Sequence, residues 1–178
     1  MITLEIFYFI QIFTSIIFLF SSVSKLFTLS QFINVFQSLG FNKTFSLFCA
    51  ISTFLLEFSV SVFIVFKSTV SIGMIILILL IFAFLGTTIY SQIKSLKIKC
   101  NCFGNLMEDN LGKSTYYRIF FLLILFFSLT FSQNYIGITE ISDTITINFV
   151  LSSINLMLFY FLFNAFGRLI LMNRTRNI

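Results

Sequence analysis

Histidine, tryptophan and proline are absent from this chain of 178 residues, and only 10% of it is charged. Without histidine there is no imidazole to bind a metal or to act as a general base. The three cysteines do not make up for it. Cys100 and Cys102 lie one residue apart with no further Cys or His nearby, short of the four ligands of a structural zinc site. A soluble domain carries about a quarter charged residues. The shortage here leaves no room for a separate soluble domain, and residues 1–178 read as a single integral membrane domain. The basic residues form no cluster interleaved with aromatics, which argues against a nucleic-acid partner. A positive n-region is also missing, since the first residues carry Glu5 and no Lys or Arg. The opening apolar run therefore reads as a retained transmembrane helix, despite the small-x-small look of Ser22-Val23-Ser24. No internal repeat is evident.

What the chain has instead is apolar length. Hydrophobic residues make up 58% of it, in several runs near 20 residues, the length that crosses a bilayer core. Five spans are expected, at about 6–29, 44–66, 68–90, 114–132 and 147–172. The fold class is thus all-α: a polytopic helical membrane bundle with a four-helix core and a fifth, C-terminal transmembrane helix. In the first span Gln11, Ser15, Phe18, Ser22 and Lys25 recur at helical spacing on one face. Lipid offers polar groups no partners, so that face should look into the bundle. Residues 30–43 read as an amphipathic piece, with Phe32, Ile33, Val35, Phe36 and Leu39, stopped by Gly40 and lying in the membrane interface. In the second span Ser46, Ala50, Thr53, Glu57 and Ser61 form another small or polar stripe. Glu57 sits near mid-span, where an ionisable group is costly and calls for a partner. Lys25 is the first candidate and Arg118 the second. Cys49 lies off the stripe and reads as a buried, apolar-like thiol. In the third span Ala83, Gly86, Thr87 and Tyr90 make a small face suited to close helix approach.

One polar break, residues 94–118, separates the apolar halves, and the cysteine loop at 94–113 is its centre. The loop holds Lys99-Cys100-Asn101-Cys102-Phe103-Gly104, preceded by Lys94 and Lys97 and followed by turn residues Glu108, Asp109, Asn110 and Gly112. Cys100 and Cys102 can reach each other with little chain closure, so a reversible disulfide is chemically available. Nearby cations stabilise a thiolate, which makes Lys99 a candidate activating group. Arg118 opens the fourth span. It either stabilises the thiolate as well or snorkels to the headgroups. Against thiol exchange stand two blander readings of the pair, soft-metal capture and an incidental or structural pairing. Lys25 and Glu57 likewise read either as a structural ion pair or as a proton or quinone site.

Charge distribution gives an orientation. With the N-terminus outside, ten of the eleven basic residues fall on the inner side and only Lys67 lies outside. The positive-inside rule therefore favours N-out, C-in, with the cysteine loop facing the cytoplasm. Stable disulfides are rare there, whereas transient catalytic ones are not.

These residues together resemble the MauE/DoxX-like redox-associated membrane proteins. The shared marks are Ser22-Val23-Ser24-Lys25-Leu26 at the end of the first helix, Glu57 in the second, Cys100-Asn101-Cys102-Phe103-Gly104 between the third and fourth, and Arg118 opening the fourth. The similarity runs from about residue 5 to about 130. Two departures stand out: Gln11 occupies a place where the family often has Arg, and the prolines common around the family's second helix are missing. The resemblance implies a membrane protein that exchanges electrons through the Cys-x-Cys pair with a thioredoxin-like partner, in maturation of a disulfide-containing protein such as methylamine dehydrogenase. It also suits cysteines on the extracytoplasmic side, opposite to the charge count.

Three functions of different class follow. In the first, a thiol–disulfide oxidoreductase works between a thioredoxin-like protein and a far-end acceptor, a quinone or another thiol. In the second, the protein is a non-catalytic membrane scaffold or maturation factor whose partner carries the chemistry. The third is a small transporter built on Lys25 and Glu57, which five spans without a broken-helix repeat support least.

Overall fold

A computed structural model describes residues 2–94, 99–100, 109–110, 113–131 and 142–176. Six helices carry the fold: α1 (Ile2–Phe27), α2 (Leu29–Ser38), α3 (Lys43–Phe63), α4 (Val70–Ile93), α5 (Lys113–Phe131) and α6 (Asp143–Arg176). Two short strands, β1 (Lys99–Cys100) and β2 (Asp109–Asn110), pair antiparallel between α4 and α5. Among the described residues, four stretches are long and apolar enough to cross a membrane: Glu5–Phe27, Lys43–Phe63, Val70–Ile93 and Asp143–Phe163. Thr115–Phe131 is a shorter apolar helix. The protein is an all-α polytopic membrane bundle.

Helices α1, α3, α4 and α5 form a ring in which α1 touches α3 and α5 and α4 touches the same two. α6 adds to the outside of α1 and runs parallel to it. Tyr8 and Phe9 meet Thr146 and Phe149 at one end, and Phe20 meets Phe161 further along. The α1–α3 register is set by side chains that reach backbone carbonyls across the interface. Gln11 Nε2 donates to Ile64 O at 2.6 Å, and Ser15 Oγ donates to Ser61 O at 2.6 Å. Such polar contacts supply what apolar side chains cannot supply between helices in lipid, a preference for one partner over another. Gln11, the departure from the family's Arg, is thereby a structural residue here.

The connector between α1 and α3 departs from the interfacial joint expected of it. The first helix ends at Phe27, partway along α3, and after Thr28 the chain continues in the same sense as α2, which packs along α3 with Phe32 and Leu39 buried. Gly40, at φ +102°, then reverses the direction as only glycine does without strain. Asn42 caps α3 by accepting from Phe45 N at 3.0 Å.

The packing face of α4 also differs from the expected one. Ala83, Gly86 and Tyr90 are exposed, and nothing lies within 4 Å of where a Gly86 Cβ would stand. The close approach falls at Gly73 instead, where a Cβ would meet the Ile64 backbone nitrogen at 3.1 Å. A core of Val60, Ile64, Val70, Met74, Leu77, Ile81 and Leu129 fills the bundle around it.

Candidate functional site

Lys25 and Glu57 are both buried to within 1% of complete, and they form an ion pair between Lys25 Nζ and Glu57 Oε1. Ser21 Oγ donates to the second carboxylate oxygen, Oε2, at 3.1 Å. The ammonium also faces the rings of Phe32 and Phe84, with centroids 4.9 and 5.1 Å away. Two buried charges are tolerable when each answers the other and the remaining hydrogen-bonding capacity is met. Aromatic faces add attraction for the cation without bringing in water. By sequence the two residues look mismatched in depth, because Glu57 is the fifteenth residue of α3 while Lys25 lies two residues from the end of α1. The position of α2 removes the mismatch: α1 ends inside the bundle at the depth of Glu57, and α2 covers the remaining length of α3 down to its start. The pair therefore ties α1 to α3, while Phe32 ties α2 to the same point.

Glu57 and Ser21 also border a cavity of about 1020 Å³, lined by residues from all six helices. Most of its wall is aromatic or aliphatic, including Phe18, Phe36, Phe48, Leu80 and Leu122. Lys25 is not on the wall and sits behind Glu57. Cys49, expected to be buried, is half-buried and lines the cavity. Ala83 and Thr87 line it as well, which explains why the small face of α4 has no helix against it. Arg118 lies half-buried on the same wall from α5, so both candidate partners of Glu57 are near the cavity, and Lys25 is the one that meets it.

Sequence reasoning missed Ser21, Thr88 and Thr115. Ser21 lies one position off the periodic stripe of α1 but a full turn before Lys25, which was the available signal. Thr115, on the first turns of α5, is buried, and its Oγ1 has no hydrogen-bond partner among the described residues.

The cysteine site is described in its backbone only. Lys99 and Cys100 form β1, with Cys100 opposite Asp109 and Lys99 opposite Asn110. Cys102 lies outside the described residues. The strand pair follows α4 and precedes α5, at the end of the bundle where α2 also lies and where Thr115 and Arg118 enter the cavity wall. Among the described residues no group of three or more His, Cys, Asp or Glu is placed to hold a metal.

A family model described as methylamine utilisation protein MauE matches residues 3–131. The chain belongs to the MauE family. The match covers the four-helix ring, α2 and the strand pair, and it ends where α5 ends, so α6 stands outside it. No curated protein and no solved structure matches the chain. MauE membership makes this a multi-pass membrane protein of a type associated with methylamine utilisation.

Proposed function

We propose that this MauE-family protein is a membrane thiol-redox protein whose Cys100 and Cys102 exchange electrons with a thioredoxin-like partner. The observation that supports the reading is the position of Cys100, on the strand β1 between α4 and α5 of the family's four-helix ring, with Cys102 two residues on in the sequence. In the exchange, a thiolate of one protein attacks the disulfide of the other. The mixed disulfide is then resolved by the second thiol, so two electrons pass from one pair to the other. Lys99 and Arg118 favour the thiolate electrostatically. Lys25 and Glu57 hold the bundle that carries the pair. The client of the partner is then a disulfide-containing protein, and the family description supports methylamine utilisation as its setting.

The test is labelling of the full-length protein in membranes with a charged maleimide mass tag, before and after reduction. Two thiols should appear together on reduction, lost in Cys100→Ser and Cys102→Ser, with Cys49 unlabelled. A pair that never oxidises in cells leaves the scaffold reading in its place.

A further inference from the structure

We propose that the cavity beside Glu57 binds a prenylated quinone, head towards Glu57 and Thr115 and tail along the phenylalanine wall. This rests on the thiol-redox reading for its purpose, but not for its evidence in the fold. The cavity, at about 1020 Å³, is at the upper end of ordinary ligand sites. Voids left by imperfect packing are far smaller, since protein interiors fill space as densely as organic crystals. Its wall reaches Phe48, Phe121 and Leu156, exposed on the apolar outer surface of the bundle, which selects ligands that arrive through the hydrocarbon phase.

The wall then selects among such ligands. Apolar surface dominates, with flat aromatic faces from Phe18, Phe32, Phe48 and Phe84 suited to a planar ring and an unsaturated chain. The polar groups are few and mostly neutral hydroxyls, as a carbonyl-bearing head requires. Thr115 is 95% buried on this wall, and its Oγ1 has no partner among the described residues. A buried hydroxyl without a partner costs free energy, and a ligand carbonyl relieves it. The two charged groups on the wall, the Glu57 carboxylate and the Arg118 guanidinium, are of opposite sign and Lys25 stands behind Glu57, so the wall carries no net positive charge for a phosphate headgroup. A quinone also balances the proposed thiol chemistry. Closing an S–S bond between two thiols releases two electrons and two protons, and the two quinone carbonyls take both to become quinol hydroxyls.

The experiment uses full-length protein with both loop cysteines replaced (Cys100→Ser, Cys102→Ser), so that thiol exchange plays no part. Tritiated decylubiquinone is the probe, measured by scintillation proximity on protein in nanodiscs. Saturable binding of one molecule per chain is expected. Ala83→Phe, which projects a ring into open cavity space, should abolish it. Thr115→Val, nearly isosteric, should weaken it about fivefold, the loss of one neutral hydrogen bond. Farnesol, a prenyl chain without carbonyls, should compete at least tenfold less well than unlabelled quinone. Absence of saturable binding, equal competition by farnesol, or full binding in Ala83→Phe overturns the proposal. If thiol cycling is intact while the quinone does not bind, this inference alone falls. If quinone binds while the cysteine pair never cycles, the thiol-redox reading falls and the site stands.

Discussion

The two ends of the helical bundle are built on different principles. At the end away from the strand pair, apolar side chains close the space: Ile64, Val70, Leu77 and Leu129 are almost wholly buried, and Gly73 lets α4 come against the backbone of Ile64. At the end where α2 lies, charge and hydroxyl groups are buried around a cavity, and the helices are held by Lys25, Glu57 and Ser21. Phe18, Leu80 and Ile119 belong to both the core and the cavity wall, and form the floor between them. The comparison teaches that one end supplies rigidity by packing, while the other keeps open volume at the cost of needing a buried ion pair to hold it.

The largest expected effect is all-or-none and concerns which side the open end faces. On the charge distribution, reporter fusions after Gln92 and after Ile178 should both read cytoplasmic. An extracytoplasmic reading after Gln92 would invert the assignment and put the cysteine pair where the family role expects it. Next comes the ion pair. Glu57→Gln leaves Lys25 buried without its counter-charge, which costs about 3–5 kcal/mol in soluble proteins. The yield of monodisperse protein should collapse, and exchanging the two residues (Lys25→Glu with Glu57→Lys) should restore part of it. An unchanged melting temperature in Glu57→Gln would show that the open end does not depend on the pair.

Leucine truncations compare the ends directly. Leu77→Ala, in the packed end, should destabilise by about 2–5 kcal/mol, because a cavity opens where no side chain can relax into it. Leu56→Ala, on the cavity wall and 41% exposed, should cost well under half as much. Equal losses, read by thermal unfolding in detergent, would erase the distinction. The smallest contrast is between two glycines. Gly73→Ala forces contact at 3.1 Å with backbone and should cost about 1–3 kcal/mol. Gly86→Ala meets nothing and should be neutral or stabilise by up to about 1 kcal/mol through helix propensity.

How much of this was legible in the sequence differs from residue to residue. Gln11, Ser22 and Lys25, and likewise Ser46, Glu57 and Ser61, mark buried faces because a polar group in a membrane helix must find protein. Most of helix α4 gave no such signal. Its mean hydropathy is 2.7, and from Ile72 to Leu85 it has no polar side chain, so lipid-facing and core-facing residues there are chemically alike; only Thr88 and Ser91, near its end, mark a buried face. Nothing in its sequence separates Gly73 from Gly86, and the wrong small face was expected to pack. The partial hydrogen-bond demand of Thr115 was invisible for the same reason: a threonine near a helix start has many local uses.

The local chemistry of the chain determined that it is helical, that it lives in a bilayer, where its apolar segments run, and that Lys25 and Glu57 needed partners. Hydropathy and periodicity are properties of neighbouring residues, and they survive without knowledge of the fold. Only the tertiary structure decided that the two charges meet, because their depths agree only when α1 stops partway along α3 and α2 covers the rest. The cavity is likewise a tertiary decision. Its wall gathers residues from six helices far apart in the chain, and empty volume is a property of how helices are spaced, which no single segment encodes.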